Sequence, residues 1–267
     1  MKDTHFANAP GVTMPDHFSS AHDMALLGQA VTQNTPDYMH YSVMPSFSYK
    51  QRFHHATNLV LKNDPSVDGL KTGFTKAAGY NLALSAKRPS GLVESPDRRL
   101  VVVVMGAKNA FKRAEIAHKL LNLGYSYTRD EVAIKDKQLI AELPVIKSTL
   151  KIFKVEAKKP QLVTTSLYNN PAPIDLMTFD NLSSRVMQTN PNGILSTIEP
   201  LQTTETKLNV ELNETSLTAP LAQIMHLAKV NVYQGDQLIQ TFDIEDDVQI
   251  EQASWIERLI NWLQSLF

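Results

Sequence analysis

The stretch VDGLKTGFTKAAGYNLALSAKR, Val67–Arg88, places a Lys-Thr-Gly among glycines at 69, 73 and 79, just ahead of a strand-like run. Tyr80 to Ala86 predicts one strand, and Leu100 to Gly106, LVVVVMG, predicts another. The second is β-branched and continuous, as a strand covered on both faces would be. The intervening KRPSGLVESPDRR has the proline, glycine and charge of a hairpin loop. If the strand at Lys71–Gly73 lines a cleft, its edge offers N–H and C=O groups to an extended peptide. Gly73 lacks the Cβ that would obstruct close approach. Lys71 supplies a point charge and Thr72 a hydroxyl, both suited to a carboxylate. Taken alone, three residues favour a plainer reading: a solvated strand lysine between turn glycines.

Working outward, residues 1–18 carry Pro10-Gly11 and Pro15-Asp16 and read as irregular loop. Ser20-x-x-Asp23 is a helix start signal, and Met24, Leu27 and Val31 follow at helical spacing, so a helix is expected over about 20–32. The polar, aromatic-rich segment up to Asn63 reads as short strands and turns. A second helix is expected over 110–123, with Phe111, Ala114, Ala117 and Leu121 on its buried face and Gly124 as its stop. After Thr128 the texture changes to short alternating runs such as TLKIFKV and KLNVELN, with a hairpin turn at Tyr233–Gln237. The expected organisation is an α/β part at 1–128, an all-β part at 129–247 and an amphipathic segment at 248–267.

With 267 residues, 43% hydrophobic and a net charge of −1, the chain can bury sizeable cores and has no footprint for nucleic acid. The absence of cysteine excludes a disulfide frame, a thiol nucleophile and a zinc–thiolate site. No carboxylate or third histidine stands at metal-ligand spacing from His17, His22, His54 or His55, so these read as structural histidines and no metal is expected. Met1–Phe6 has no apolar h-region, so no signal peptide is read in this chain. No window reaches about 18 consecutive apolar residues.

The segment VDGLKTGFTKAAGYNLALSA resembles the third active-site motif of the penicillin-binding D-alanyl-D-alanine carboxypeptidases. The resemblance extends to MKDTHFANAPGV, HFSSAHDMALLGQAV and LVVVVMGAKNAFKRAEIAHKLLNLGY, and more weakly beyond residue 127. It implies part of an α/β transpeptidase-like domain with an antiparallel sheet, followed by an all-β domain and a terminal amphipathic helix. It further implies a serine-type hydrolase acting on peptidoglycan stem pentapeptides and acylated by β-lactams. Lys71, Thr72 and Gly73 would bind substrate, Arg113 would order the cleft wall or bind the substrate carboxylate, and no cofactor is needed. For Arg113 a solvent salt bridge is an equal alternative.

The family's order is Ser-x-x-Lys, Ser-x-Asn, Lys-Thr-Gly. Neither of the first two occurs ahead of Lys71, so the expectation is a carboxy-terminal fragment, inactive by itself. Ser148-Thr149-Leu150-Lys151 matches Ser-x-x-Lys only as a decoy, after the Lys-Thr-Gly and in a strand-like alternation. The rival reading is a non-catalytic, membrane-associated module that grips cell-wall peptide or a partner protein. A β-lactamase fits less well, because the β part and tail do not belong to that group.

In SWIERLINWLQSLF, Trp255, Ile256, Leu259, Trp262, Leu263 and Leu266 share a wide apolar face. Two tryptophans on a short terminal helix suit the headgroup boundary of a bilayer, which with the resemblance points to peripheral attachment at the periplasmic face of the inner membrane. Docking on the β part is the alternative. Residues 1–128 are expected to be molten or aggregation-prone, because apolar surface of LVVVVMG and of the helix at 110–123 is left uncovered, while 129–247 is expected to fold by itself.

Overall fold

The structure, a computed structural model, describes residues 1–167 and 206–257. The chain divides into two compact units, Met1–Thr128 and Arg129–Phe267.

In the first unit α1 spans Ala21–Asn34, and the Ser20 side chain accepts from the Asp23 N–H as the start signal requires. Asp23 is buried and ties down the chain's start, accepting from the Asp3 N–H at 2.8 Å and the Thr4 hydroxyl at 2.7 Å. The Thr4 hydrogen bond is the main cause that lowers its pKa. A second helix, α2 at Pro36–Ser42, was not expected; Pro36 at its first turn suits a helix start, where its missing N–H costs nothing. A ribbon follows, β1 at Ser46–Tyr49 and β2 at Arg52–His55, then a 3-10 turn at Leu59–Lys62.

Three antiparallel strands make the central sheet: β3 at Val67–Thr75, β4 at Gly79–Pro89 and β5 at Asp97–Ala107, with β4 in the middle. Helix α3 at Ala110–Tyr127 lies on one face, where Leu82, Leu84, Ala86 and Val104 pack with Ala117 and Leu121. Helix α1 meets the sheet through Gly28, where an added Cβ would lie 2.9 Å from the Val101 side chain. Cover on LVVVVMG is partial: only Val104 is fully buried, Leu100–Val103 are half-buried and Met105 is exposed, because β5 is an edge strand.

Two details of α3 correct the sequence reading. Phe111 is 77% exposed. The buried stripe is Arg113, Ala117 and Leu121, at four-residue spacing, which rotates Phe111 outward. Gly124 does not stop the helix, which runs on to Tyr127. It serves close packing instead, since a Cβ there would lie 2.9 Å from Leu100 Cδ1.

The second unit is built of strands: β6 at Thr128–Ile134, β7 at Leu139–Ile146, β8 at Ile152–Glu156, β9 at Gln161–Ser166, β10 at Thr206–Leu212, β11 at Leu217–Thr218, β12 at Leu221–Gln234 and β13 at Gln237–Ile250. β6 pairs with β9, β7 lies between β11 and β8, and β12 lies between β10 and β13. The β12–β13 turn carries Gly235 at φ 61°. Ile134, Leu143, Val155, Leu227, Val230 and Val248 form its core. Beyond β13, Ser254 and Glu257 exchange the hydrogen bonds of a capping box, and the chain is helical at 255–257 with Trp255 and Ile256 exposed. Leu259, Trp262, Leu263 and Leu266 lie outside the described residues.

Candidate functional site

The outer side of β3, away from β4, is the place where sequence and structure converge. Its first half is covered from α2. The Ser42 hydroxyl donates to Asp68 O at 2.7 Å, and the Tyr38 hydroxyl donates to Leu70 O at 3.3 Å. The next carbonyl on that side, Thr72 O, accepts among the described residues only from the chain's own Lys71 Nζ, at 2.6 Å. Residues two apart present backbone groups to the same edge, so Phe74 follows Thr72 there. Beyond Leu70 this edge has no backbone partner among the described residues.

Lys71 is exposed, and no carboxylate pairs with it among the described residues. Nothing lies within 4 Å of where a Gly73 Cβ would stand, so packing inside this chain does not call for glycine. The open space leaves the backbone approachable. Phe74 is exposed and packs on Tyr80 at 4.2 Å between ring centroids, walling the far end of the strand.

Arg113 behaves differently from a surface cation. It is 4% exposed and donates to Thr57 O at 2.8 Å and Asn81 O at 3.3 Å, with its charge near the Tyr80 ring. Burial lowers the guanidinium's pKa from its ordinary value. Its Nε is buried without a hydrogen-bond partner among the described residues. Arg113 thus straps the Thr57 segment to β4, at the bulge where the Asn81 side chain accepts from the Gly106 N–H at 2.9 Å. Among the described residues Arg113 makes no salt bridge.

The residue that sequence reasoning missed is Thr57. Its hydroxyl meets the Thr72 hydroxyl at 2.5 Å while its carbonyl takes Arg113. Beside it, Asn58 Nδ2 donates to Gly69 O at 3.3 Å. A threonine 15 positions upstream of its partner, in a polar segment, carries no signal in the sequence.

The entry to β3 is fixed by Asp64. Its carboxylate accepts from the Ser66 N–H at 2.9 Å, the Ser66 hydroxyl at 2.6 Å, Arg88 at 2.8 Å and His118 at 3.0 Å. Burial raises its pKa, but the Ser66, Arg88 and His118 hydrogen bonds together prevail and bring it down from 3.8 to about 2.

Ser148, the decoy serine, belongs to the second unit. It is buried, donates to Glu251 O at 2.8 Å and accepts from the Leu150 N–H at 3.2 Å. It lies between β7 and β8, outside any strand. A hydroxyl so engaged is a structural brace. Among the described residues no group of three or more metal-ligating side chains converges, the paired histidines included.

The structure of penicillin-binding protein 5 from Haemophilus influenzae matches with a TM-score of 0.65 at 24% identity, covering 94% of this chain and 61% of that one. That likeness shows the fold, a transpeptidase-like α/β unit followed by a β unit. Residues 1–109 match the family model of D-alanyl-D-alanine carboxypeptidase. The D-alanyl-D-alanine carboxypeptidase DacD of Escherichia coli is 36% identical over 53% of this chain and 35% of its own length. DacA of Haemophilus influenzae is 27% identical over 98% of this chain and 57% of its own length. Residues 1–109 are thus similar to the D-alanyl-D-alanine carboxypeptidases. The chain spans about a third to three fifths of the relatives and the structure named here.

Proposed function

We propose that the open edge of β3 binds the carboxy-terminal end of a D-alanyl-D-alanine peptide, as part of a serine-type carboxypeptidase that trims peptidoglycan stem peptides and is acylated by β-lactams. The observation that carries this is the Lys71–Thr72–Gly73 run on an edge that is covered up to Leu70 and open from Thr72 on. An extended peptide adds there by main-chain hydrogen bonds, and Lys71 with the Thr72 hydroxyl receives its carboxylate. In the reaction a serine oxygen attacks the peptide carbonyl, D-alanine leaves with a proton, and water hydrolyses the resulting ester. Thr57 and Arg113 hold Thr72 in place, and Gly73 admits the peptide backbone.

These 267 residues by themselves are inactive in this proposal. No Ser-x-x-Lys precedes Lys71, and the Ser148 hydroxyl is engaged inside the second unit. Removing a nucleophile takes away most of an acyl-transfer rate. Fluorescent penicillin should therefore not label the chain. A chimera carrying DacD's Ser-x-x-Lys and Ser-x-Asn segment ahead of Met1 should be labelled, and Lys71→Ala in that chimera should lose most of the labelling. Covalent label on the 267-residue chain, mapped by mass spectrometry to any serine, would overturn the proposal.

The exposed Trp255 and Ile256 at the capped start of the terminal segment support a membrane-interface role for 253–267. Attachment at the periplasmic face of the inner membrane belongs to the same proposal. Among the described residues no helix is long and apolar enough to cross a membrane.

A further inference from the structure

The β1–β2 ribbon is the most unusual surface of the first unit. Phe47, Tyr49 and Phe53 are 55%, 61% and 62% exposed, in a two-stranded element whose residues are nearly all exposed. An isolated ribbon is marginally stable, and leaving three large rings in water does nothing to hold it. The register sorts them. Phe47, Tyr49, Arg52 and His54 share one face, where Phe47 and His54 stack at 5.0 Å and 15°, and Lys50 approaches the Tyr49 ring at 5.4 Å. Ser46, Ser48, Phe53 and His55 share the other, with Phe53 and His55 edge to face at 4.8 Å. The tip holds Lys50 and Gln51 at φ 45° and 62°. A two-residue turn of that conformation ordinarily takes Asn-Gly, so keeping two long polar side chains there costs stability and points to use of the tip.

We infer that the face of this ribbon bearing Phe47, Tyr49, Arg52 and His54 is a platform for a polysaccharide strand, whose sugar rings stack on Phe47 and Tyr49 while hydroxyl and N-acetyl groups meet Gln51 at the tip, Arg52 and His54. A pyranose has an apolar face the size of an aromatic ring and polar edges, which this alternation matches. Five of the ten residues 46–55 carry rings and none is aliphatic, so the ribbon lacks the apolar volume a bilayer-inserting loop needs. From Tyr38 to Asn63 there is no acidic residue, and Lys50 and Arg52 sit beside the rings. That leaves cations for the carboxylates of peptides carried on such a strand.

Position supports the choice. The ribbon closes with the Ala56 N–H donating to Pro45 O at 2.8 Å, and the next residue is Thr57, on Thr72 of the candidate peptide edge. The inference rests on the proposed function in one respect: a peptide cleaved at β3 that is borne on a glycan brings its polymer past this ribbon.

The test titrates the full 267-residue chain with chitohexaose, a neutral N-acetylglucosamine hexamer without peptide, while ribbon amide resonances are followed. Binding should perturb residues 46–55. Phe47→Ala with Tyr49→Ala should weaken it about tenfold or more, since base–aromatic stacking, the nearest measured analogue, is worth about 1–3 kcal/mol per ring. These side chains are exposed, so the variant's melting temperature should stay within a few degrees of the parent's. Lys71→Ala should leave chitohexaose binding unchanged. The same Lys71→Ala change in a titration with a D-alanyl-D-alanine peptide tests the β3 reading separately. No perturbation by chitohexaose, equal binding by the double variant, or binding abolished by about 0.5 M salt, where charge pairs are screened, would each overturn the inference.

Discussion

Asp64→Asn is the change whose cost follows most directly from the structure. The carboxylate gathers Ser66, Arg88 and His118 at the entry to β3, and its side chain is 10% exposed. Its pKa is held at about 2 against an ordinary 3.8. A folded-state pKa below the unfolded one gives stability that is present above the unfolded value and lost as pH falls through the folded value. The full difference corresponds to about 2.4 kcal/mol, and screening at the solvent-touched Arg88 and His118 reduces it to about 1–2 kcal/mol. Asparagine keeps the shape and the Ser66 contacts but turns an amide donor toward Arg88, which adds to the loss. The first unit has a buried core of its own, which favours a cooperative melt over the molten state expected from the sequence. At pH 7 the variant's first unit should melt roughly 5 °C lower, taking a few degrees per kcal/mol for a unit of this size. Linkage then predicts how the gap closes: little changes down to about pH 4, and about half of the charge contribution is gone by about pH 3. The assay is thermal unfolding of the full chain followed between pH 7 and pH 3, parent against variant. A gap that stays constant over that range would refute the carboxylate as the origin of the stability.

Thr57→Val should free the Thr72 side chain to average among rotamers, read from its three-bond couplings, while Thr57→Ser should preserve the fixed rotamer; unchanged couplings in the valine variant would refute the hydroxyl contact as the restraint. Ser148→Ala leaves the Leu150 N–H without its side-chain acceptor and Glu251 O without its donor, and should cost about 0.5–1.5 kcal/mol in the second unit. It should also speed hydrogen exchange at Ala253, whose N–H donates to Lys147 O. For the terminal segment, Trp255→Ala with Trp262→Ala should release the chain from zwitterionic vesicles with little dependence on salt, because screening acts on charges and this face is apolar. Vesicle binding that vanishes at high salt would show an electrostatic attachment instead.

Elements whose determinants are local were readable in the chain. Ser20-x-x-Asp23 starts α1 because a cap and its N–H are three residues apart, and LVVVVMG is a strand because β-branched runs pack on a pleated surface. Lys71–Thr72–Gly73 stood out for the same reason, as an unusual local run. Three things depended on the assembled fold. Arg113 turns inward because the packing of α3 chose the stripe through Ala117 and Leu121, a rotation that apolar spacing alone placed on Phe111. Thr57 reaches Thr72 only after the ribbon and the 3-10 turn bring the segment back beside β3. The Ser-x-x-Lys at Ser148 is disarmed by Glu251, 103 residues away. Periodicity reports which face a residue takes relative to its neighbours. Which of its atoms meet a partner far along the chain is set by closure of the fold, and no local pattern encodes that distance.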